Sequence, residues 1–157
     1  MIIKKLFIST ILLIPFAYIT AYSKNSDNAS INLKAMNITY SIDEYFKYVV
    51  KGDTTVVNLF LEAGMMVDTT HYSMCCTALM EASRLTNSEM IMFLIQKGAK
   101  VNTRDSEGKT PIIYAAEGAG YKNFQPHQVE SIQILLNNKA DINATSHYGY
   151  TPMWEAV

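Results

Sequence analysis

The chain has 157 residues, enough for one domain of ordinary size, and 49% of them are hydrophobic. Its 13 Lys and Arg residues nearly balance its 14 Asp and Glu residues, and neither charge is concentrated in a patch or a run. This balance argues against nucleic acid as a partner and against a disordered acidic tail.

Residues 1–23 have the features of a secretory signal peptide. Two lysines precede a mostly apolar stretch at 6–19, and the small residues Ala21 and Ser23 occupy the positions that a signal peptidase reads. We expect cleavage after Ser23, which predicts a secreted or periplasmic protein without membrane attachment. The alternative is an uncleaved membrane anchor, although the apolar stretch is shorter than the roughly 20 residues that a span requires.

The adjacent Cys75 and Cys76 are the only cysteines in the sequence. A disulfide between neighbours closes almost no loop and would add little stability through chain entropy. We therefore favour two free thiols, one packed and one near the surface, over a strained disulfide or a link to another chain. Adjacent cysteines beside His71 do not match the usual spacing of zinc ligands, so we expect no metal and no cofactor.

Residues 24–40 are polar and rich in Asn and Ser, and we expect a spacer with at most one short ordered turn. The first helical pattern follows at 41–50, where Ser41 and Glu44 fit a capping box. A second helix begins after Asp53 and is closed by Gly64.

The same helix-pair pattern then returns along the chain. Three similar segments each open a first helix: TALMEA at 77–82, TPIIYA at 110–115 and TPMWEA at 151–156. The second helix of the second pair starts at Asn87 or Ser88. The second helix of the third pair is predicted to carry four apolar residues on its packed face, namely Val129, Ile132, Leu135 and Leu136.

Similar segments also end the second helices: GMMVD at 64–68, GAKVN at 98–102 and KADIN at 139–143. Gly98 can take the left-handed backbone conformation that ends a helix. Lys139 stands where Gly is expected, and a left-handed Lys would cost very roughly 1 kcal/mol. In the turn that follows Gly98, Thr110 is predicted to cap the next helix and Pro111 to begin it.

The spacing of these segments identifies a repeat. Thr77 and Thr110 are 33 residues apart, while Thr110 and Thr151 are 41 apart because eight extra residues lie within 118–126. A helix–turn–helix unit of about 33 residues resembles the ankyrin repeat, and single units must stack to bury their apolar faces. The resemblance implies an all-α repeat solenoid of helix–turn–helix units joined by β-hairpin-like turns. The units are expected at about 41–73, 74–106 and 107–147, with a partial unit at 148–157, giving a repeat domain at 41–157.

The sequence departs from the family pattern at several positions. The histidine of the family's T-P-L-H opening is replaced by Met80, Ile113 and Trp154, so its usual hydrogen bonds must be missing or replaced. The turn at 71–76 lacks Gly, and we expect an irregular hairpin there. The chain stops inside a first helix, which we interpret as a truncated array, with docking of this half-unit on the third unit or on another chain as the alternative.

No catalytic motif is found in the sequence, and the protein is not expected to be an enzyme. The ankyrin resemblance implies a protein–protein interaction module that binds a protein partner through its turn tips and the inner faces of its first helices. On that basis the candidate partner-binding residues are Tyr72, Met74, Glu81, Arg84, Glu107, Lys109, Tyr114, Glu117, Tyr121, Phe124, Tyr148 and Tyr150. We expect a monomer. A membrane-tethered scaffold and a thiol- or metal-responsive protein acting through Cys75 and Cys76 are the alternatives.

Overall fold

The structure is a computed structural model that describes residues 16–72, 75–118 and 126–155. Within these ranges every regular element is a helix, and one isolated antiparallel bridge joins Thr70 to Thr77. The helices, in chain order, are α1 (Phe16–Ala35), α2 (Ile42–Lys51), α3 (Thr54–Glu62), α4 (Ala78–Arg84), α5 (Ser88–Gln96), α6 (Pro111–Glu117), α7 (Pro126–Asn137) and α8 (Pro152–Glu155).

Helices α2 to α7 form three helix–turn–helix units that stack side by side. The first helices α2, α4, α6 and α8 pack one against the next, and α5 packs against α7 in a second row. The side chains between the rows form a continuous apolar core, in which Leu79, Ile91, Leu94, Ile112 and Leu135 are fully buried. The predicted all-α solenoid is confirmed, and the half-unit α8 docks on the third unit.

The helix starts follow local capping chemistry. Ser41, Asp53, Thr77 and Asn87 each accept a hydrogen bond from a backbone N–H three residues later, at 3.0–3.3 Å. Thr110 occupies the predicted N-cap position, but its buried hydroxyl has no hydrogen-bond partner. The Ile113 and Tyr114 amides bond instead to the Thr110 backbone carbonyl.

The helix ends use left-handed residues as predicted. Gly64 and Gly98 have φ angles of +105° and +92°, and Lys139 takes the corresponding conformation at +68°. The turns at 105–110 and 146–151 are hairpin-like, since the Asp105 and Ser146 amides each donate across the turn. At the turn predicted to be irregular, the His71 amide donates to the Cys76 carbonyl and Cys75 has a φ of +53°, while residues 73 and 74 lie outside the described residues.

The prediction that residues 24–40 form a spacer is wrong. Helix α1 extends through Ala35 and packs against α3, burying Ala29, Leu33 and then Ile38. Two apolar residues one helical turn apart, followed by a left-handed Asn37, were enough to dock an otherwise polar helix. No helix within the described residues has the length and apolar character to span a membrane.

The packed face of α7 also differs from the prediction. Val129 is 55% exposed, while the polar Gln128 and Ser131 are buried. The Gln128 amide donates to the carbonyls of Ala115 and Ala116 at 3.5 and 3.2 Å, and these carbonyls belong to the last turn of α6. The helix is therefore rotated so that Gln128 bonds to carbonyl groups in the last turn of α6.

Candidate functional site: the groove between the first helices

A cleft of about 320 Å³ lies on the inner side of the array. Its lining comes from α2, from His71 and Cys76, and from the first helices α4 and α6. We call this cleft the groove. It occupies the surface that the sequence predicted for partner binding, and its walls come from three successive units, so it exists only when these units are stacked.

The base of the groove is apolar but contains two titratable side chains, those of Cys76 and Tyr114. Both are buried, and they cluster with the fully buried Met80. The Tyr114 hydroxyl donates to the Asp105 carboxylate at 2.6 Å, and the Cys76 thiol lies 3.8 Å from the Thr77 carbonyl oxygen that accepts its hydrogen bond. The polar atoms at the base are therefore already paired within the protein.

Burial controls the titration of both groups. It raises the pKa of the Cys76 thiol to about 12, with further contributions from the nearby Glu81 and Asp105 carboxylates. Burial and the hydrogen bond to Asp105 raise the pKa of Tyr114 above its ordinary value. Both side chains are uncharged at neutral pH, so the base of the groove has no charge of its own.

The charged side chains on the groove walls are paired. Arg84 makes a bidentate contact with Glu81, with Nη2–Oε1 and Nε–Oε2 distances of 2.6 and 3.1 Å. Lys47 lies 2.8 Å from the Glu44 carboxylate, one turn away on the same helix. Across the groove mouth, His71 Nε2 lies 3.4 Å from Asp43 Oδ1.

The second turn and α6 bring four of the candidate residues together, namely Glu107, Lys109, Tyr114 and Glu117. Lys109 Nζ lies 2.6 Å from the Glu117 carboxylate and 3.4 Å from that of Glu107. It also lies 5.6 Å from the centre of the Tyr114 ring. Asp105 holds this turn by accepting hydrogen bonds from the backbone amides of Glu107 and Lys109.

The other candidate residues fall into three groups. Tyr72 and Tyr148 are 75% and 69% exposed, and Tyr150 lies beside Tyr148 with 6.2 Å between ring centres. The prediction that Tyr114 lies on the surface is wrong, because only 4% of the residue is exposed and its hydroxyl is bonded to Asp105. The remaining three candidates, Met74, Tyr121 and Phe124, lie outside the described residues.

Sequence reasoning missed most of the α2 side of the groove. Phe46 and Val50 line it, together with His71 from the following turn. The available signal was the helical spacing of Phe46 and Val50, which lie four residues apart on α2 and therefore share a face. Val50 is half exposed, whereas Phe46 is buried.

The two cysteines have the predicted arrangement, with Cys75 exposed and Cys76 buried, both unpaired. Among the described residues, no group of three or more His, Cys, Asp or Glu side chains is placed to hold a metal ion. The two thiols therefore differ in environment, since Cys75 is exposed while Cys76 is buried and has a raised pKa.

A second missed feature joins successive units. Asp68 Oδ1 accepts a hydrogen bond from the Lys100 amide at 3.0 Å, and Asn102 Oδ1 accepts one from the Asp141 amide at 2.9 Å. Asp68 and Asn102 are the fifth residues of their helix-end segments, and each bonds to the third residue of the next segment. These bonds repeat the same link at each junction and so hold the units in register.

Comparison with known proteins agrees with this architecture. A family model described as ankyrin repeats matches residues 46–146 in three copies. Ankyrin repeat, SAM and basic leucine zipper domain-containing protein 1 is 30% identical to the chain in Carollia perspicillata and 27% identical in Mus musculus, over 132 residues in each case. An ankyrin repeat protein of fowlpox virus (strain NVSL) is 30% identical over 129 residues.

These alignments include 83%, 83% and 75% of this chain but only 27%, 27% and 24% of the respective relatives. The chain therefore spans about a quarter of the length of these relatives. Ankyrin repeats in general mediate protein–protein interactions and are typically not catalytic. The repeated motifs, the stacked helix pairs and the family match over residues 46–146 together show that this chain belongs to the ankyrin-repeat family.

Proposed function

We propose that the protein is an exported, non-catalytic module that binds a protein partner in the groove and along the adjoining turn tips. The groove is the observation that supports this function, because it is a concave, partly apolar surface on the inner side of the array. Tyr72 and Arg84 lie close to it, and Tyr and Arg are the residue types that dominate binding energy at interfaces. Export rests on the signal-like sequence of residues 1–23.

Partner binding can be tested with the mature chain and a matched pair of variants. Val50 and Met92 are both about half exposed, but Val50 lines the groove whereas Met92 lies on the second helix α5. Val50→Glu places a charge in the groove, and we expect it to weaken capture of the partner from the extracytoplasmic fraction by about tenfold or more. Met92→Glu should leave capture unchanged, and equal capture by the two variants would contradict the proposal.

A tethered form is the second candidate, because α1 runs without a break from Phe16 past the expected cleavage point after Ser23. A protease can cut a folded helix only after the helix opens locally, so a docked α1 favours retention of the N-terminus. N-terminal sequencing of the exported protein distinguishes the two forms. The exported form without an anchor predicts Lys24 as the first residue, whereas recovery of residues 1–23 would establish the tethered form.

A further inference from the structure

We propose that the groove binds an uncharged aromatic side chain of the partner, held between the base formed by Phe46, Cys76 and Tyr114 and the guanidinium plane of Arg84. This inference rests on the proposed function and adds the chemistry of the group that is recognised. It is carried by the size of the groove, by the pairing of its polar atoms and by the bidentate contact of the groove residue Arg84 with Glu81.

The volume limits the ligand to something small. At about 320 Å³ the groove lies at the lower end of the roughly 300–1,000 Å³ range of pockets that hold small molecules and cofactors. It suits one large side chain inserted from a protein chain that passes along the inner face of the array. Such deep insertion of a single residue is the usual form of a binding hot spot.

The base of the groove disfavours ligands that need a hydrogen-bond donor from the protein. The Tyr114 hydroxyl donates to Asp105 and the Cys76 thiol to the Thr77 carbonyl, so neither has a hydrogen free to donate to a ligand without breaking an internal bond. A hydrogen-bond acceptor inserted here would lose its water without gaining a donor from these two groups, which is unfavourable. The rest of the base presents the Phe46 ring, which packs edge-on against His71 with 5.2 Å between ring centres.

The walls of the groove exclude charged ligands. Asp43, Lys47, Glu81 and Arg84 contribute two negative and two positive charges. Lys47 and Arg84 already contact carboxylates on their own helices, so the groove has no net charge to attract an ion of either sign. Among possible ligands, an uncharged side chain therefore loses the least hydration free energy when it enters the groove.

Arg84 favours an aromatic side chain over an aliphatic one. Its bidentate contact with Glu81 engages the guanidinium through its edge and fixes the plane of the group, which leaves a flat face for stacking. A guanidinium face attracts the face of an aromatic ring, and a sulfur atom such as that of Cys76 also makes favourable contacts with ring edges. An aliphatic side chain could fill the same volume but would gain neither interaction.

The test is a titration of the isotope-labelled full chain with amino-acid amides, followed by the amide NMR shifts of the groove residues. The probes are the N-acetyl amides of tryptophan, phenylalanine, leucine and glutamate. We expect the two aromatic probes to shift the Phe46, Val50 and Cys76 signals and to bind at least about threefold more tightly than the leucine probe. Equal binding of leucine and tryptophan, binding of glutamate, or an absence of shifts at the groove would overturn the inference.

Three variants make the test specific. Val50→Glu should weaken binding of the tryptophan probe by about tenfold, and Met92→Glu should leave its affinity unchanged. Arg84→Lys keeps the positive charge but replaces the planar guanidinium with an ammonium group. This variant should therefore show a smaller preference for the tryptophan probe over the leucine probe. An unchanged preference would contradict stacking on Arg84. Thermal melting of each variant separates loss of binding from loss of folding.

The outcomes also separate this inference from the function on which it rests. If Val50→Glu loses the partner but the aromatic probes do not bind the unaltered chain, the groove is the partner site and the aromatic inference is wrong. If the probes bind as expected but Val50→Glu captures the partner normally, the groove is not the partner surface and the proposed function fails.

Discussion

At the scale of single residues, Tyr114 shows how one position can support both folding and the site. It lies on α6, in the T-P-I-I-Y-A segment that opens the third unit, and its ring forms part of the base of the groove. Its hydroxyl reaches back to Asp105, which in turn orders the second turn through the Glu107 and Lys109 amides. The turn tip and the groove are thus joined through one buried hydrogen bond.

We predict that Tyr114→Phe destabilises the protein by about 1.5–3 kcal/mol, because the buried Asp105 carboxylate loses a partner. Urea denaturation followed by circular dichroism measures this change. The matched control is Tyr148→Phe, which removes the hydroxyl of an exposed ring and should change stability by less than about 0.5 kcal/mol. Equal effects of the two substitutions would show that the bond to Asp105 contributes nothing.

The two neighbouring thiols should behave very differently. At about pH 8, iodoacetamide is expected to label the exposed Cys75 of the native chain, while Cys76 is protected by burial and by its pKa of about 12. The unfolded chain should be labelled twice, and native Cys75→Ser should stay unlabelled. Labelling of both thiols at the same rate in the native chain would contradict the burial of Cys76.

The raised pKa of Cys76 also sets the direction of an alkaline pH effect. An ordinary thiol loses its proton near 9.0, whereas Cys76 in the folded chain keeps it until about 12. The folded state therefore binds more protons than the unfolded state in this interval, and stability falls as the pH rises from 9 towards 12. In Cys76→Ala the fall measured by urea denaturation should be shallower.

At the scale of the elements, the helix-end segments of the repeat have one irregular member, Lys139. We predict that Lys139→Gly stabilises the chain by about 0.5–1 kcal/mol, because Gly takes a φ of +68° without the strain of a side chain. Lys97→Gly is the matched control, since Lys97 ends α5 with a φ of −81° and has no strain to relieve. That control should lower the melting temperature, and a fall in both variants would contradict the account of Lys139.

Helix α1 is the element that the sequence did not reveal. Its docking can be tested by comparing a buried and an exposed residue of the same helix. Leu33 is 1% exposed and packs in the core, whereas Ile31 on the same helix is 62% exposed. Leu33→Ala should cost about 2–5 kcal/mol of stability, and Ile31→Ala should cost less than about 0.5 kcal/mol. Denaturation curves that coincide for the two variants would mean that α1 is not docked in solution.

These elements also show what the sequence can and cannot predict. The repeated T-x-x-x-x-A segments and the helix-end segments predicted the stacked helix pairs, since each depends on local chemistry such as Pro111 at a helix start or Gly98 at a helix end. The docking of α1 could not be predicted in this way, because its polar residues dilute the signal of Ala29 and Leu33. The burial of Gln128 depends on carbonyls of another helix, which no local pattern reveals.

The residues of the candidate site can also be divided into those that the sequence placed correctly and those that it did not. The groove lies on the inner face, the side that the sequence predicted for partner binding, and the candidates Glu81 and Arg84 line it. Tyr114 was misassigned to the surface because helical spacing fixes the direction of a side chain but not what the neighbouring unit places over it. The Asp105 carboxylate that binds its hydroxyl comes from a turn nine residues earlier.

At the scale of the whole molecule, the array is a stack in which each unit bonds mainly to its neighbours. Asp68 and Asn102 link successive helix ends, and the His147 amide donates to the Glu107 carbonyl at 2.8 Å between the second and third turns. Such one-dimensional arrays gain stability from each interface between neighbouring units. The groove depends on these interfaces because α2, α4 and α6 each contribute part of its lining.

The central claim is that the groove contacts a protein partner, and cross-linking in the native cell tests it most directly. A photoreactive benzoylphenylalanine replaces either Val50, in the groove, or Met92, on α5, two apolar positions of similar exposure. After irradiation, we predict a discrete cross-linked species with the probe at position 50 and none with the probe at position 92. Cross-links from position 92 alone, or the same products from both positions, would contradict the account.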